Sequence, residues 1–279
     1  MIELGKKQIL QVVKKVDFGV YLGEDTRAAE TERVLLPARQ VPEGTQTGDS
    51  LEVFIYRDSS DRLIATTRIP LLQLNQVALL RVADVGKIGA FLDWGLEKDL
   101  LLPFREQTAR VEKGQQVLVA LYIDKSSRLC ATMKIYRYLK TNSPYQPQDE
   151  VEGRVYELSR NFGVFVAVDD MYSGLVPKRE AQGEFVPGQV MKFRVTEVRE
   201  DGKLNLSPRK KAYLQIHEDA QMILEVIGQY AGVLPFDDKT SPEVIQREFG
   251  LSKAAFKRAV GYLLKEGSIE IRDHRIFRK

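Results

Sequence analysis

One pattern of residues recurs three times along the chain, and this repeat restricts the possible folds more than any other feature. Each copy begins with a short phrase around a glycine, which reads 17-DFGVYL-22, 87-KIGAFL-92 and 161-NFGVFVAV-168. An apolar segment ending in proline follows. The spacing from that proline to the next glycine is identical in the three copies, at Pro37 and Gly48, Pro103 and Gly114, and Pro177 and Gly188. Such a pattern indicates repeated structural units rather than one large domain.

Each copy reads as a set of short β-strands. An alternating strand is predicted after the second glycine, at 51-LEVFIY-56, 117-VLVALY-122 and 190-VMKFRV-195, and a turn leads into a last short strand. About five strands within roughly 65 to 70 residues are typical of a small barrel of the OB type, with a β-sandwich as the main alternative. Extra residues in copy one near 24-EDTRAAETERV-34 fit a loop insertion.

The chain changes character near Lys211, where strand-like alternation gives way to helical spacing. Apolar residues fall on one helical face of 214-LQIHEDAQMILEVIGQY-230. Two more helices are predicted over 241-SPEVIQREFG-250 and 252-SKAAFKRAVGYLLKEG-267, each begun by a serine cap and ended by a glycine. Their close spacing predicts a helix-turn-helix, and 268-SIEIRDHRIFRK-279 alternates as a hairpin, which together give a winged-helix layout.

These patterns predict a mostly β protein with a C-terminal α+β domain, made of three tandem five-stranded OB-type barrels and a winged helix. The predicted domains are 1–70, 71–142, 143–211 and 212–279. The linkers 68-RIPLLQLNQ-76 and 141-TNSPYQPQDE-150 are short, and the two prolines of the second predict a stiffer spacer.

Composition narrows the class of function. One cysteine and two histidines allow neither an internal disulfide nor a usual zinc site. We find no Walker or dinucleotide-binding sequence and no histidine triad, so we predict no enzyme, no cofactor and no small-molecule substrate. No run is long and apolar enough to span a membrane, and the N-terminus lacks signal-peptide features, which predicts a cytoplasmic protein without a membrane partner.

The three repeats resemble the S1-type RNA-binding domain. Copy three does so best, through 151-VEGRVYELSRNFGVFVAV-168, 173-SGLVPKRE-180 and 186-VPGQVMKFRVTEVREDGKLNLS-207. The resemblance implies that the aromatics around the glycine are exposed and contact RNA, together with an aspartate and a basic residue near the last two strands. The implied positions are Phe18, Tyr21, Asp58 and Arg62 in copy one, Phe91, Asp124 and Arg128 in copy two, and Phe162, Phe165, Arg199 and Lys203 in copy three.

The copies depart from the S1 pattern, and these departures suggest which copy keeps the most binding character. Proline replaces the usual histidine in all three, Ile88 replaces the first aromatic of copy two, and Arg199 stands in copy three where aspartate is expected. We expect copy three to keep the most binding character and copy two to be mainly structural. Three such domains and a winged helix resemble the conserved virulence factor B family of YitL-like bacterial proteins, which implies a cytoplasmic RNA-binding regulator.

Copy three carries the residue types that single-stranded RNA requires. Aromatic rings stack on bases, and basic side chains bind phosphates. The basic candidates are Arg160, Lys178, Arg179 and Lys203. The alternative is that Phe162 or Phe165 belongs to the core, because residues three apart on a regular strand point to opposite faces unless a glycine allows a bulge. For Lys178, Arg179 and 209-RKK-211 the alternative is a solvated surface without a partner.

Two further residues of copy two are expected to be structural. Trp94 is predicted to cover the top of its own barrel, with base stacking from a loop as the alternative. Cys130 occupies the place that Ile64 has in copy one, which predicts a thiol in the core.

The winged helix is the most basic part of the chain. Its candidate nucleic-acid contacts are Lys253, Lys257, Arg258, Arg272 and Arg275, with a protein-binding or dimerisation module as the alternative. We predict an RNA-binding protein of post-transcriptional regulation, in which single-stranded RNA is held by stacking and phosphate contacts and assisted by the winged helix. The alternatives are a transcription regulator that reads duplex DNA through the winged helix, and a protein-binding adaptor.

Overall fold

The computed structural model describes residues 2–58, 60–181, 183–208 and 212–279, without the side chains of residues 212–215. It divides into two compact units, one that ends at Ser207 and one that begins at Pro208. Strands build the first unit, and helices with a small sheet build the second. The predicted fold class is therefore confirmed. The basic segment 209-RKK-211 lies outside the described residues.

Three groups of five strands make up the first unit, one group for each copy of the repeat. Copy one contains β1 Lys7–Val16, β2 Gly19–Gly23, β3 Val34–Pro37, β4 Ser50–Arg57 and β5 Leu63–Thr66. Copy two contains β6 Val77–Val85, β7 Gly89–Asp93, β8 Leu100–Pro103, β9 Gln116–Ile123 and β10 Leu129–Thr132. Copy three contains β11 Glu150–Ser159, β12 Gly163–Val168, β13 Tyr172–Pro177, β14 Val190–Val198 and β15 Leu204–Ser207.

The strand order is the same in each copy, but the closure differs. Copies one and three are closed barrels, because β3 pairs in parallel with β5 and β13 with β15. In copy two no ladder joins β8 to β10, so these strands are the two edges of an open barrel within the described residues. The first strand of each copy has a bulge at the same place, between Val12 and Lys14, Val82 and Asp84, and Val155 and Glu157. A bulge bends a strand, which helps a small sheet to curl.

The glycine of each repeat phrase is required by the backbone. Gly163 has a φ of +123°, and a Cβ at this position would lie 2.1 Å from the carbonyl oxygen of Val176. A Cβ at Gly19 or Gly89 would meet the opposite strand at 2.1 or 2.2 Å. Only a residue without a side chain fits so close to the neighbouring strand. The glycine begins the second strand of each copy and leaves the residue before it in the turn.

The barrels of the first unit pack against one another through their fourth strands. On β4, Val53 and Ile55 point into their own barrel, while Phe54 and Tyr56 are buried in the core of copy two. The ring of Phe54 lies 5.7 Å from that of Trp94, in an edge-to-face arrangement. Residues 53–56 of β4 are therefore buried on both faces of the strand. The strand predicted over 51–56 is confirmed, but the alternation expected along it is wrong for these four residues.

The same arrangement recurs in copy two and ends in copy three. On β9, Leu118 and Ala120 pack beside Tyr156 of copy three. At the corresponding places β14 has Lys192 and Arg194, which are exposed and half-buried. The segment between the first two barrels belongs to this packing rather than acting as a spacer, since Leu72 is buried and the Leu74 N–H donates to the Gly5 carbonyl at 2.7 Å.

The second unit is a winged helix with one strand that the sequence did not predict. Its elements are α1 Ala212–Gln229, β16 Val233–Leu234, α2 Pro242–Phe249, α3 Lys253–Glu266, β17 Ile269–Arg272 and β18 Arg275–Arg278. The predicted caps are confirmed: Ser241 and Ser252 accept from backbone N–H groups, and Gly250 and Gly267 end the helices at positive φ. The short β16 pairs with β18 and completes a three-stranded sheet. Phe256 lies at the centre of the core of this unit.

Candidate nucleic-acid interface

The turn before β12 presents an aromatic ring to solvent. Phe162 is 63% exposed, and Phe165 on β12 is half-buried beside it, with ring centroids 6.3 Å apart. Strand alternation does not separate the two rings, because Phe162 lies in the turn and Gly163 redirects the chain. Neither ring belongs to the core of its own barrel, but Phe165 packs against the apolar cluster shared by copies two and three. The core alternative is therefore wrong for Phe162, whereas Phe165 is partly buried in that cluster.

A backbone hydrogen bond makes Lys178 a neighbour of Phe162 in the fold. The N–H of Lys178 donates to the carbonyl of Phe162 at 3.0 Å. The same bond recurs from Ala38 to Phe18 at 3.0 Å, and from the N–H of Phe104 to the carbonyl of Ile88 at 3.4 Å. The residue after the repeat proline is therefore always adjacent to the residue before the repeat glycine. Lys178 and the neighbouring Arg179 are both exposed.

Two tyrosines that the sequence analysis missed lie on either side of Phe165, and one of them extends the aromatic surface of copy three. Tyr136, 46% exposed, lies in a short turn before β11, with its ring 5.6 Å from that of Phe165. Tyr156 is buried on the other side of Phe165, at 6.0 Å. The Lys203 ammonium lies 5.3 Å from the centroid of the Tyr136 ring, within the range of a cation–π contact. No sequence signal marks Tyr136, because it lies outside the repeat phrase.

The predicted basic residues near the last two strands lie in corresponding hairpin turns, and each contacts a carboxylate. Arg62 binds Asp58 at 2.9 Å, Arg128 binds Asp61 of copy one at 3.2 Å, and Lys203 binds Asp201 at 2.9 Å. Arg199 also reaches Asp201, at 3.4 Å. A phosphate that approaches these cations must share them with the carboxylates, which weakens its electrostatic gain.

Two aspartates of these turns hold the turns together. Burial works to raise the pKa of Asp58, but the backbone and guanidinium N–H groups of Arg62 outweigh it and hold that pKa below its ordinary value. Burial also works to raise the pKa of Asp124, but hydrogen bonds from the backbone N–H of Arg128 and from Ser126 outweigh it and lower that pKa. Both carboxylates are therefore charged hydrogen-bond acceptors at neutral pH.

Copies one and two present related surfaces with different side chains. In copy one Phe18 is 58% exposed and lies 6.3 Å from the half-buried Tyr21. In copy two Ile88 is 60% exposed at the equivalent place, with Phe91 half-buried nearby in sequence. Phe104, which the sequence analysis missed, is 52% exposed where copy three has Lys178. The signal for it was the difference between 101-LLPFREQ-107 and 175-LVPKRE-180.

Trp94 and Cys130 are both buried. Trp94 is 3% exposed, and its indole N–H donates to the Lys98 carbonyl at 2.6 Å. It joins the core of copy two as predicted, and it also packs on Phe54 of copy one, which the sequence did not show. Cys130 is a core thiol as predicted, and burial raises its pKa to about 11.

The candidate cations of the winged helix fall into two groups. Lys253 donates to the Lys239 carbonyl at 3.4 Å, Lys257 lies 3.8 Å from Asp238, and Arg272 binds Glu270 at 2.6 Å. Arg258 on α3 and Arg275 on β18 are exposed. The first group is held by neighbouring loops and strands, whereas the second extends into solvent.

The described residues bring together no cluster for metal chemistry. Within them, no group of three or more His, Cys, Asp or Glu side chains is placed to hold a metal ion. In the same part of the chain, no helix is long and apolar enough to cross a bilayer. The chemistry that these surfaces offer is ring stacking and contact with anions.

Known protein domains match the chain along most of its length. Residues 4–68 and 76–134 match the S1 domain, residues 136–210 match the second domain of virulence regulatory factor CvfB, and residues 221–277 match the CvfB-like winged helix domain. Taken with the exposed aromatic and basic side chains of the barrels, these matches define a nucleic-acid-binding protein built from S1 domains and a winged helix.

Two curated relatives and one solved structure are similar to the chain over most of its length. The chain is 34% identical over 278 residues to the uncharacterized protein YitL of Bacillus subtilis, which covers 95% of this chain and 90% of the relative. The conserved virulence factor B of Staphylococcus saprophyticus is 31% identical over 241 residues, or 83% of this chain and 80% of the relative. The chain therefore belongs to the conserved virulence factor B family. A solved multidomain protein with nucleic acid binding domains from Streptococcus pneumoniae aligns over 99% of this chain and 98% of its own, with 26% identity and a TM-score of 0.49.

Proposed function

We propose that this protein is an RNA-binding regulator that holds single-stranded RNA by stacking bases on its barrels and by contacting phosphates with lysine and arginine. The observation that carries the proposal is the exposed ring of Phe162 beside Lys178. An exposed aromatic ring on one residue and an exposed cation on the residue bonded to it through the backbone offer both interactions that a single strand requires. Base stacking contributes roughly 1–3 kcal/mol for each base.

The proposed contacts spread over all three copies of the repeat. Copy three contributes the largest set. The contacts are Phe162, Phe165, Lys178, Arg179, Arg199 and Lys203 in copy three, Phe18, Tyr21 and Arg62 in copy one, and Phe91 and Arg128 in copy two. Several weak sites on one chain raise the overall affinity if one strand reaches them together.

A single strand suits these surfaces better than a duplex. Phe162 and Phe18 stand on turns and offer ring faces or edges rather than hydrogen-bonding groups. Bases inside a duplex are already stacked and expose only their edges in the grooves, whereas unpaired bases offer their faces. Contacts of this kind discriminate little between bases, so we expect a broad preference for unpaired RNA.

The winged helix is proposed to add phosphate contacts. Its proposed contact residues are Lys253, Lys257, Arg258, Arg272 and Arg275. The exposure of Arg258 and Arg275 supports this role, and it is also the observation that favours the second candidate, a regulator that reads duplex DNA. The attachment of Lys253 to the Lys239 carbonyl favours the first candidate, since it leaves fewer side chains of α3 to enter a groove.

The regulatory role is proposed from the family. One matching domain is that of a virulence regulatory factor, and relatives from Staphylococcus are called conserved virulence factor B. An RNA-binding regulator without a recognisable catalytic centre fits post-transcriptional control in a bacterial cytoplasm. We carry that role to this chain as part of the proposal.

The test is fluorescence anisotropy with a labelled single-stranded RNA of about 20 nucleotides and a DNA duplex of equal length, at several salt concentrations. The full chain should bind the RNA more tightly than the duplex. Phe162→Ala should weaken RNA binding by about fivefold to a hundredfold, the equivalent of one lost stack. Ile9→Ala, which removes a 70% exposed side chain outside the repeat phrases, should not. Tighter binding of the duplex would favour the second candidate.

A further inference from the structure

A pocket of about 260 Å³ lies where copies one and two meet. Copy one contributes Arg57 and Asp61 to its lining, and copy two contributes Phe91, Trp94 and Arg128. Aromatic and cationic side chains therefore converge on one concave site, which is more enclosed than the exposed ring of Phe162.

The pocket exists because the barrel of copy two is open. Leu101 on β8 and Cys130 on β10 both line it. Their counterparts in copy one, Leu35 and Ile64, are paired with each other and close that barrel. Edge strands present backbone N–H and C=O groups that no neighbouring strand uses. The seam between β8 and β10 thus offers backbone donors and acceptors at the pocket wall, next to the ring of Phe91.

The charged groups at the pocket tie the two barrels together. The Nε of Arg57 donates to the Ser127 carbonyl at 2.9 Å, and Arg128 binds Asp61 at 3.2 Å. Lys98 donates to the Asp58 carbonyl at 3.2 Å. Arg57 and Lys98 thus make these contacts with neutral carbonyl groups, which leave their positive charge uncompensated.

The side chains that line the pocket carry one more positive charge than negative. Arg57, Lys98 and Arg128 stand against the carboxyl groups of Asp61 and Asp99. Burial raises the pKa of Asp99, and the negative charges of Asp93 and Asp84 raise it further. The site therefore favours a ligand with a planar apolar ring and an anionic group.

We propose that this junction pocket binds one unstacked nucleobase of a single-stranded RNA, with the base against Phe91 and the adjoining phosphate at Arg57 and Arg128. The inference rests on the proposed function and extends it to a particular site. The volume is below the roughly 300–1,000 Å³ of most small-molecule sites, which suits one base better than a whole cofactor. Backbone groups at the open seam read the edge of the base. Copy two then binds a base, whereas the sequence led us to expect a mainly structural role.

Trp94 provides a direct probe, because it is the single tryptophan of the chain and lines the pocket. The experiment titrates the full-length protein with AMP, GMP, CMP and UMP, and then with single-stranded RNA, while the Trp94 fluorescence is followed. We expect a saturable change with at least one mononucleotide and with the RNA. Arg57→Gln, which removes a pocket cation, should weaken both responses by about tenfold.

Matched variants separate the pocket from the ring of Phe162. Lys125→Gln removes an exposed cation from the hairpin between β9 and β10, which also carries Arg128. Lys125 lies outside the pocket, so this variant should leave the Trp94 response unchanged. Leu101→Phe fills the pocket and should abolish the response. If one variant fails to fold, as judged by its melting transition, the other still tests the site. Phe162→Ala should retain the mononucleotide response.

Three outcomes would overturn the inference, and they can be told apart. If RNA binds with the expected dependence on Phe162 while no nucleotide or RNA changes the Trp94 fluorescence, the pocket inference fails and the proposed function stands. If no single-stranded RNA binds the chain in the anisotropy assay, the proposed function fails and the inference fails with it. Equal responses of the wild type and the Arg57→Gln and Leu101→Phe variants would also contradict the pocket.

Discussion

The backbone N–H of Lys178 donates a 3.0 Å hydrogen bond to the carbonyl oxygen of Phe162. This bond joins the turn before β12 to the turn after β13, so the main chain holds the residue with the exposed ring against the residue with the exposed lysine side chain. A binding surface that is arranged before the ligand arrives loses less entropy on binding. The recurrence of the bond in copies one and two shows that it belongs to the repeat, while the side chains it carries vary.

Alanine substitutions at Phe162 and Phe165 are expected to differ in their effects on RNA binding and on stability. Phe162→Ala should lower RNA affinity while the free energy of unfolding changes by less than about 0.5 kcal/mol, because the ring is mostly exposed. Phe165→Ala should lower both, with a loss of about 1–3 kcal/mol, since its ring packs on Tyr136 and Tyr156. Urea denaturation and anisotropy check the pair. A destabilised Phe162→Ala variant with unchanged affinity would contradict this prediction.

Gly163→Ala should destabilise the third barrel by about 2–4 kcal/mol. The new Cβ would combine an unfavourable positive φ with an approach of 2.1 Å to the Val176 carbonyl oxygen. Gly188→Ala is the matched control, because Gly188 also has a positive φ of +92°, but a Cβ there would meet no described atom within 4 Å. It should cost only about 1 kcal/mol. Equal losses for the two variants in denaturant titration would show that the close approach is unimportant.

Thr132→Val should cost more stability than Thr66→Val. The Thr132 hydroxyl donates to Glu106 at 2.8 Å, and the Thr66 hydroxyl donates to Gln40 at 2.5 Å, at equivalent places in copies two and one. Hydrogen bonds to charged groups contribute about 1.5–3 kcal/mol, against about 0.5–1.5 kcal/mol for neutral ones. Chemical denaturation of both variants tests the order, and the reverse order would contradict it.

Phe54→Ala should loosen the contact between the first two barrels. Phe54 is 1% exposed and packs on Trp94, so its truncation should cost about 3–5 kcal/mol and shift the Trp94 emission to longer wavelength. Arg194→Ala is the control at the corresponding position of β14, since Phe54 and Arg194 each pair with the first residue of their first strand. It should leave the Trp94 emission unchanged. An unshifted spectrum for Phe54→Ala would contradict the packing.

Cys130 should react slowly with iodoacetamide until the protein unfolds. Burial raises the pKa of its thiol to about 11, so only about one thiol in a thousand is ionised at pH 8. A folded pKa above the unfolded value means that this group stabilises the fold below about pH 8.5 and that the contribution is lost as the pH rises toward 11. Mass spectrometry of native and urea-treated protein measures the rates, with Cys130→Ser as the unreactive control. Equal rates would contradict the prediction.

Much of the local structure could be predicted because it depends on neighbouring residues. The serine caps at Ser241 and Ser252 and the stops at Gly250 and Gly267 require only local hydrogen bonds and positive φ, so the sequence indicated α2 and α3 closely. The strand β16 was missed, because two residues, Val233 and Leu234, carry no periodicity and become a strand only by pairing with β18.

The repeat pattern predicted only part of the candidate site, as the surface around Phe165 shows. The pattern pointed to Phe162 and Phe165 but not to Tyr136, whose ring reaches Phe165 from a turn that precedes the third barrel. Likewise, Arg57 and Arg128 approach the same pocket from different barrels. Contacts between residues far apart in the sequence leave no mark in the spacing of either one.

The order of residues along the chain was enough to establish the threefold repeat and the strand and helix pattern, because these depend on spacing and backbone sterics within one copy. The tertiary structure was needed to show that the residue before each repeat glycine lies in a turn, which exposes Phe18, Ile88 and Phe162. Packing between copies was needed to show that β4 and β9 bury both faces and that the barrel of copy two stays open at β8 and β10. Apolar side chains such as Phe54 are buried by whichever surface covers them. That surface belongs to the next barrel, and a single repeat does not specify it.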